Sequence, residues 1–361
     1  MNKMRIGVGV VVCFVLGLTA AETKASETLT IKGDFRYRHE LIDQETQESV
    51  RNRQRIRARL EISSQITETW TASLRLASGS DDPVSTNQTL TGGFSTKPFA
   101  LDLAFFEWSP NQKIALAGGK MNLPFAQPGK TELLWDGDLN PEGLSLALCS
   151  NLGKSTRLSL TSAMFWVEER KADDDALLYG AQGLVKQSLS EKSAIWAGVG
   201  FYAVTAAGYA PFFDSEDAFG NSTDAAGAYL NDFNELELSA EWSTKVKGLP
   251  FSILGDYVTN TAADENHVGW LVGFSLGKAK EAGSASVSYN YRSLEKDAVI
   301  GVFTDSDFIG GGTDGKGHEL EIGYMLNKKV KAAANVFLNQ VGVEDGTEFK
   351  RVMLDISMKL N

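Results

Sequence analysis

Four arginines at alternate positions, Arg53, Arg55, Arg57 and Arg59, form the densest run of positive charge in the chain. A guanidinium stays charged at any working pH and offers a planar fork of N–H donors that matches carboxylate and phosphate oxygens. The chemistry implied is anion recognition or ion pairing, not proton transfer. A spacing of two puts all four on one side of an extended strand, whereas a helix would scatter them around its circumference. Lys32, Arg36 and Arg38 share the same phase in the preceding segment, and Arg75 follows in the next. A second group has the opposite sign: Glu235, Glu237 and Glu241 at spacing two, then Glu319 and Glu321. A third, Glu132, Asp136 and Asp138, lies in a stretch rich in Gly, Pro and Asn. His39, His267 and His318 form no metal-binding pair, and no Ser, His and acid are placed to converge. Neither catalytic residues, metal ligands nor a cofactor are expected.

The elements that must position these charges begin with an export signal. Lys3 and Arg5 precede an apolar run from Ile6 to Leu18, followed by small residues at Thr19, Ala20, Ala21 and Ala25. That order is a secretory signal peptide over 1–25, cleaved after Ala21 or Ala25, too short to be a spanning helix. Either cut removes a net +2, so the formal charge of -11 becomes -13. The remainder, 26–361, is expected to be one domain. It retains a single cysteine, Cys149, so no internal disulfide can form. No later segment is long and apolar enough for a transmembrane helix, and the acidity makes nucleic acid an unexpected partner.

Period two recurs along the whole mature chain. Leu29, Ile31, Gly33, Phe35 and Tyr37 alternate with Thr30, Lys32, Asp34, Arg36 and Arg38. Leu236, Leu238, Ala240 and Trp242 alternate with Glu235, Glu237, Ser239 and Glu241. Sixteen such segments are expected, at 29–42, 51–63, 70–78, 99–108, 114–120, 142–149, 156–168, 178–188, 194–204, 234–242, 251–259, 268–276, 284–294, 318–326, 330–339 and 349–360. Segments four to six alternate poorly, so fourteen or eighteen are the neighbouring counts. Connections after even segments are short, and those after odd ones are mostly long, notably 79–98, 121–141, 205–233 and 295–317. A soluble sandwich gives no reason for short turns at one end and long loops at the other. An all-β transmembrane antiparallel barrel does. Trp70, Trp108, Trp196 and Trp242 near the short-turn ends, with Trp166 and Trp270 near the long-loop ends, are expected to form its two interfacial bands.

The stretches GDFRYRHE at 33–40, RNRQRIRARLEIS at 51–63, TASLRLASG at 71–79, GGKMNLPF at 118–125 and LLWDGDLNPEGLSL at 133–146 carry a family resemblance. The chain resembles the bacterial putative-porin families and is similar in places to the phosphate-selective porins. The resemblance covers the whole chain in layout and the first 146 residues in motif. It implies an outer-membrane channel, a third outer loop that folds inward, and assembly as a homotrimer. One departure is the ending Leu360-Asn361, where many such barrels end in an aromatic residue.

In such a barrel the polar phase of each strand faces the lumen. Lys32, Arg36, Arg38, Arg53, Arg55, Arg57, Arg59 and Arg75 then form a basic stripe, with two neighbouring acids, Asp34 and Glu61. Glu235, Glu237, Glu241, Glu319 and Glu321 form an acidic wall opposite, and Glu132, Asp136 and Asp138 become candidates for a constriction. The transverse field so created favours small hydrophilic solutes, with a preference for anions if the stripe is uncompensated. Acids in the loops, including Asp173, Asp174, Asp175, Asp214, Glu216, Asp217, Asp305 and Asp307, are expected to be solvated. The other reading is a barrel plugged by 121–141 and 205–233 that serves a structural or surface-binding role.

Overall fold

The computed structural model describes residues 28–360, and the expected signal peptide lies outside them. Sixteen antiparallel staves close into one barrel: β1 Thr28–Gln44, β2 Arg51–Gln65, β3 Trp70–Ser78, β4 Phe99–Asn111, β5 Ile114–Lys120, β6 Glu142–Leu152, β7 Thr156–Glu168, β8 Ala176–Ser188, β9 Ala194–Val204, β10 Phe233–Val246, β11 Leu249–Asn260, β12 Val268–Gly277, β13 Ala285–Leu294, β14 Gly315–Met325, β15 Val330–Val341 and β16 Thr347–Lys359. Each pairs with its neighbours in sequence, and β1 pairs with β16 from Asp34↔Lys359 to Gln44↔Phe349. Closure leaves no unpaired edge, which is the only way a sheet satisfies its backbone in hydrocarbon. A two-residue strand, Gln88–Thr89, lies in the first long loop and pairs with β2 rather than forming a stave.

The two faces of the staves are inverted relative to a soluble protein. On β10, Leu236, Leu238 and Trp242 are exposed, while Glu235, Glu237 and Ser239 between them are buried. On β12, Trp270, Val272, Phe274 and Leu276 are exposed, and so are Leu354, Ile356 and Met358 on β16. Water would penalise such a continuous apolar exterior, and lipid does not. The poor alternation of the fourth segment has a local cause. The β3–β4 register slips between Arg75 and Leu76, so that Asp102 is an extra residue and the phase of β4 reverses there.

The tryptophan bands form with one exception. Trp70 and Trp108 face each other across β3–β4 with ring centroids 6.2 Å apart, and Trp166, Trp242 and Trp270 are exposed. Trp196 is corrected to the inner side, where its indole N–H donates to Glu241 at 3.3 Å. At the seam, the N–H of Leu360 donates to the carbonyl of Gly33 at 2.9 Å, and its exposed side chain continues the apolar exterior.

The interior is filled by loops. Leu133, Leu134 and Trp135 of the loop 121–141 are buried with Phe212, Tyr229 and Phe233 of the loop and strand that follow β9. Val299, Ile300, Val302 and Phe308 of the loop 295–314 join the same cluster. Substituting Val272→Arg at the middle of β12 should destabilise the barrel by ~2–4 kcal/mol when unfolding is followed in lipid vesicles. A soluble barrel would tolerate an arginine at this exposed position, so an unchanged unfolding curve would contradict the lipid-facing assignment.

Candidate functional site

The loop 121–141 crosses the lumen, and its sequence explains how. It leaves β5 and turns at Pro128–Lys130, where Gly129 has φ 57°. A Cβ on Gly129 would be strained at this φ and would run into the tip of the Leu254 side chain of β11, so glycine favours the close approach. The Gly129 N–H donates to Glu241 on β10 at 2.9 Å. Behind the turn, Phe125 packs edge-on against Phe165 and Tyr202 and fills the space over Gly180, whose Cβ would meet the Phe125 ring. The loop then returns to the opposite wall, where Asp138 meets Arg59 at 3.4 Å and Arg57 at 3.8 Å. One segment thus touches β10 and β2, eight staves apart.

The arginines of β1 and β2 share one face, as their spacing required. Arg36 is paired with Arg57, Arg38 with Arg55, and Asp34 with Arg59 across the ladder. Such like-charge neighbours need counterions. Glu40, fully buried, supplies the centre. It accepts from Arg53 at 2.5 Å and Arg351 at 2.9 Å, with Arg55 at 3.5 Å and Arg38 at 3.7 Å. Arg38 also donates to Asp355 at 2.8 Å, Arg57 and Arg59 hold Asp34, and Arg75 is bound to Asp102 and lies 4.0 Å from Glu61. Lys32 stands exposed opposite Glu61. The expectation of only two neighbouring acids is corrected: Glu40, Asp102, Asp138, Asp307 and Asp355 join Asp34 and Glu61. Glu40 lies on β1 itself, in the inward phase of its arginines, whereas Asp102, Asp138, Asp307 and Asp355 come from other strands and loops that the local pattern of β1 and β2 does not contain.

Asp305 and Asp307 are a second correction, because they are not solvated loop acids. Asp307 lies 3.1 Å from Arg38 and 2.7 Å from Arg351, and Asp305 lies 2.8 Å from the buried Arg292 of β13. The loop 295–314 is therefore pinned inside the barrel at two points. It also docks on 121–141: the Asp136 N–H donates to the Phe303 carbonyl at 2.8 Å, the Ser306 N–H donates to Asp136 at 2.9 Å, and the Thr304 hydroxyl donates to the Leu133 carbonyl at 3.0 Å. Three consecutive glycines, Gly310, Gly311 and Gly312, all at positive φ, carry the chain back out.

The loop carboxylates divide into two electrostatic kinds. Enclosure together with Asp136 and Asp305 pushes the Glu132 carboxyl well above its usual range, and enclosure with Asp305 and Asp138 does the same to Asp136. The carboxylate oxygens of Glu132, Asp136 and Asp305 lie within 4.8 Å of one another. Asp138 is also enclosed, yet Arg57 and Arg59 hold it below the usual carboxylate range, and Arg351 and Arg38 do so for Asp307.

The acidic residues predicted on the far wall separate. Glu235 and Glu237 are each 1% exposed beneath the loops, whereas Glu241 stays part-exposed beside Gly129. Glu319 receives Arg292 at 2.8 Å, and Glu321 receives Lys331 at 2.8 Å. β10 is diametrically opposite β2, but β14 with Glu319 and Glu321 is only four staves from β2, and much of the acid is covered or paired.

What remains open is a chain of polar spaces. An outer one of about 420 Å³ lies among Arg51, Arg53, Arg55 and Arg351. It meets, at Val84 and Ser306, a central one of about 580 Å³ lined by Arg36, Arg57, Arg59, Lys130, Glu132 and Asp138. That in turn shares Arg36, Lys130, Glu132 and Asp307 with an inner one of about 250 Å³.

A family model described as putative porin matches residues 35–226 and 213–357. Among solved structures, the high-pH structure of Pseudomonas putida OprB superposes with a TM-score of 0.63 at 10% identity, covering 92% of this chain and 94% of that one. Salmonella typhi OmpF in complex with daunomycin gives 0.57 at 10% identity, covering 92% and 98%. A mutant porin of Rh. blastica gives 0.53 at 11%, covering 92% and 100%. No curated protein matches the sequence. At these identities the solved structures speak for the fold alone.

Replacing Asp307 with Asn should free the loop 295–314 from Arg38 and Arg351. Hydrogen exchange at residues 301–313 is expected to accelerate at least tenfold, while β1 and β16 remain protected. Equal protection in the variant would mean that the backbone contacts alone hold the loop.

Proposed function

The chain belongs to the putative porin family, and we propose that it forms a passive outer-membrane channel for small hydrophilic solutes, with a preference for anions. Family and fold point to a channel in the outer membrane rather than to an enzyme. Export by the 1–25 signal peptide and assembly as a homotrimer belong to the same proposal. The observation that carries it is the central space, lined by Arg36, Arg57 and Arg59 of the wall and by Lys130, Glu132, Asp136 and Asp138 of the inward loop. Opposed charges at a narrow point assist water and polar solutes and penalise apolar ones.

The sign of the preference follows from which charges survive there. Asp138 and Asp307 are ionised but bound to arginines, and Glu132 and Asp136 keep their protons to higher pH than ordinary carboxylates. The arginines and Lys130 therefore dominate the field that a permeant meets. Raising the pH through the elevated range ionises Glu132 and Asp136 and works against anions.

Purified protein in planar bilayers should show discrete conductance steps, and the reversal potential in a salt gradient should report anion selectivity. That selectivity should decline as pH rises, and the decline should be lost in a Glu132→Gln, Asp136→Asn double variant. Cation selectivity at neutral pH would refute the dominance of the stripe.

Neutral replacements of Arg55, Arg57 and Arg59 test the stripe directly. They should lower anion preference several-fold while the barrel still shows heat-dependent migration on gels. Unchanged selectivity would place these arginines outside the permeation path.

The apolar packing of Trp135, Phe212 and Phe303 inside the barrel favours a second reading, a plugged barrel with a structural or surface-binding role. Absence of conductance steps from correctly folded protein would decide for it.

A further inference from the structure

The outer of the three spaces holds donors that the protein leaves unfilled. Four arginines line it, Arg51, Arg53 and Arg55 of β2 and Arg351 of β16. Arg351 is engaged, donating to Asp307 at 2.7 Å, to Glu40 at 2.9 Å and to the carbonyls of Ser306 and Asp307 at 3.3 Å. Arg55 reaches Glu40 at 3.5 Å, the Ser85 hydroxyl at 3.3 Å and the Asn87 carbonyl at 3.1 Å. Arg53 has only its Nε committed, to Glu40, and among the described residues no acceptor meets its two Nη groups. Arg51 is exposed and, among the described residues, has no hydrogen bond or ion pair. Arg51 and Arg53 share the inward phase of β2, ~7 Å apart along the strand.

The charge is incomplete as well. Glu40 and Asp307 are the acids bound to these four arginines, and both are shared with Arg38. Asp82 also lines the space, and among the described residues it forms no ion pair. Three acids against four arginines leave at least one positive charge facing the space. Another part of the lining is apolar: Phe213 and Phe219 of the loop 205–233 stand there, Phe213 49% exposed and Phe219 part-exposed. Both have positive φ, 68° and 50°, a conformation that is costly for a bulky side chain and persists only where the surroundings enforce it. At Phe219 the loop 295–314 does so. The Thr313 N–H donates to the Phe219 carbonyl at 2.9 Å, and the Asn221 amide donates to the Lys296 and Val299 carbonyls at 2.6 and 2.8 Å.

A carboxylate offers two oxygens to one guanidinium fork or bridges two forks, and such charged hydrogen bonds are stronger than neutral ones. An inorganic anion would meet the charge but leave the phenylalanines in water, whereas a ligand with an apolar body covers them too. We infer that the outer space is a binding site for small organic monoanions with a flat apolar body, the class that benzoate represents. The carboxylate sits on Arg51 and Arg53, and the body lies against Phe213 and Phe219. A space of about 420 Å³ accommodates a ligand of this kind. The central space differs, because Arg57 and Arg59 there already hold Asp34 and Asp138. Selection among permeants by this site rests on the channel reading, but the binding itself needs no conduction.

The test is equilibrium dialysis of full-length folded protein in detergent against radiolabelled benzoate, with protein-free micelles subtracted. Wild type is expected to bind one benzoate per chain. Acetate, inorganic phosphate and the neutral benzamide should each compete at least tenfold more weakly than unlabelled benzoate. An Arg51→Gln, Arg53→Gln double variant should lose at least tenfold in benzoate affinity, with folding checked by gel migration. Phe213→Ser should weaken benzoate several-fold and leave acetate unchanged, a split that loss of structure would not produce. If the double variant does not fold, Arg51→Gln decides, since it leaves no partner unpaired. No saturable benzoate in wild type, or equal binding by the folded arginine variants, overturns the site. So does acetate or phosphate competing as well as benzoate, the mark of charge attraction alone. Conductance is measured separately, so the channel reading stands or falls on its own.

Discussion

The constraint that organises this molecule is that charge is excluded from the outside of the barrel and must be neutralised within it. A charged side chain facing lipid near midspan costs ~2–4 kcal/mol, so the polar phase of every stave is driven inward. There the arginines of β1 and β2 stand directly opposite one another in the ladder. Glu40 resolves the repulsion by sitting fully buried among Arg38, Arg53, Arg55 and Arg351. It cannot do so alone, and the remaining counterions come from elsewhere in the chain.

That need explains why the loops are inside. Asp138 and Asp307 reach the arginines from two different loops, and Asp305 reaches Arg292. Each loop also brings apolar residues, Leu133, Trp135, Val302 and Phe308, that pack together once the acids are anchored. Ion pairing and apolar burial therefore act on the same segments. Removing one partner of such a buried pair typically costs ~3–5 kcal/mol, because the survivor is left uncompensated.

The electrostatics of the lumen are more local than a basic wall facing an acidic one. On the far side Glu235 and Glu237 are covered, and a quarter turn from the arginines Glu319 and Glu321 are paired. On the near side most arginines share a carboxylate. The contrast that reaches the central space lies between the residual positive charge of Arg36, Arg57, Arg59 and Lys130 and the proton-holding Glu132 and Asp136.

The sequence by itself determined the barrel, the inner face of most strands and the ends bearing long loops. Those features rest on period two and on connection length, both local properties, and sixteen staves close where sixteen alternating segments stand. Where a bulge reversed the phase at Asp102, the local signal failed for the same reason it worked elsewhere. That residues 121–141 fold inward was implied by the family resemblance rather than by their own spacing, and the structure has them crossing from Glu241 to Arg59. What only the tertiary structure decided is which charges cancel. Glu40 with Arg351, Arg38 with Asp355 and Asp307 with Arg38 join residues about 270 or more positions apart in the chain. Closing β1 onto β16 and folding a loop inward creates those pairs, and no spacing along the chain encodes them. Asp305 and Asp307 therefore read as solvated acids until the fold places them against arginine.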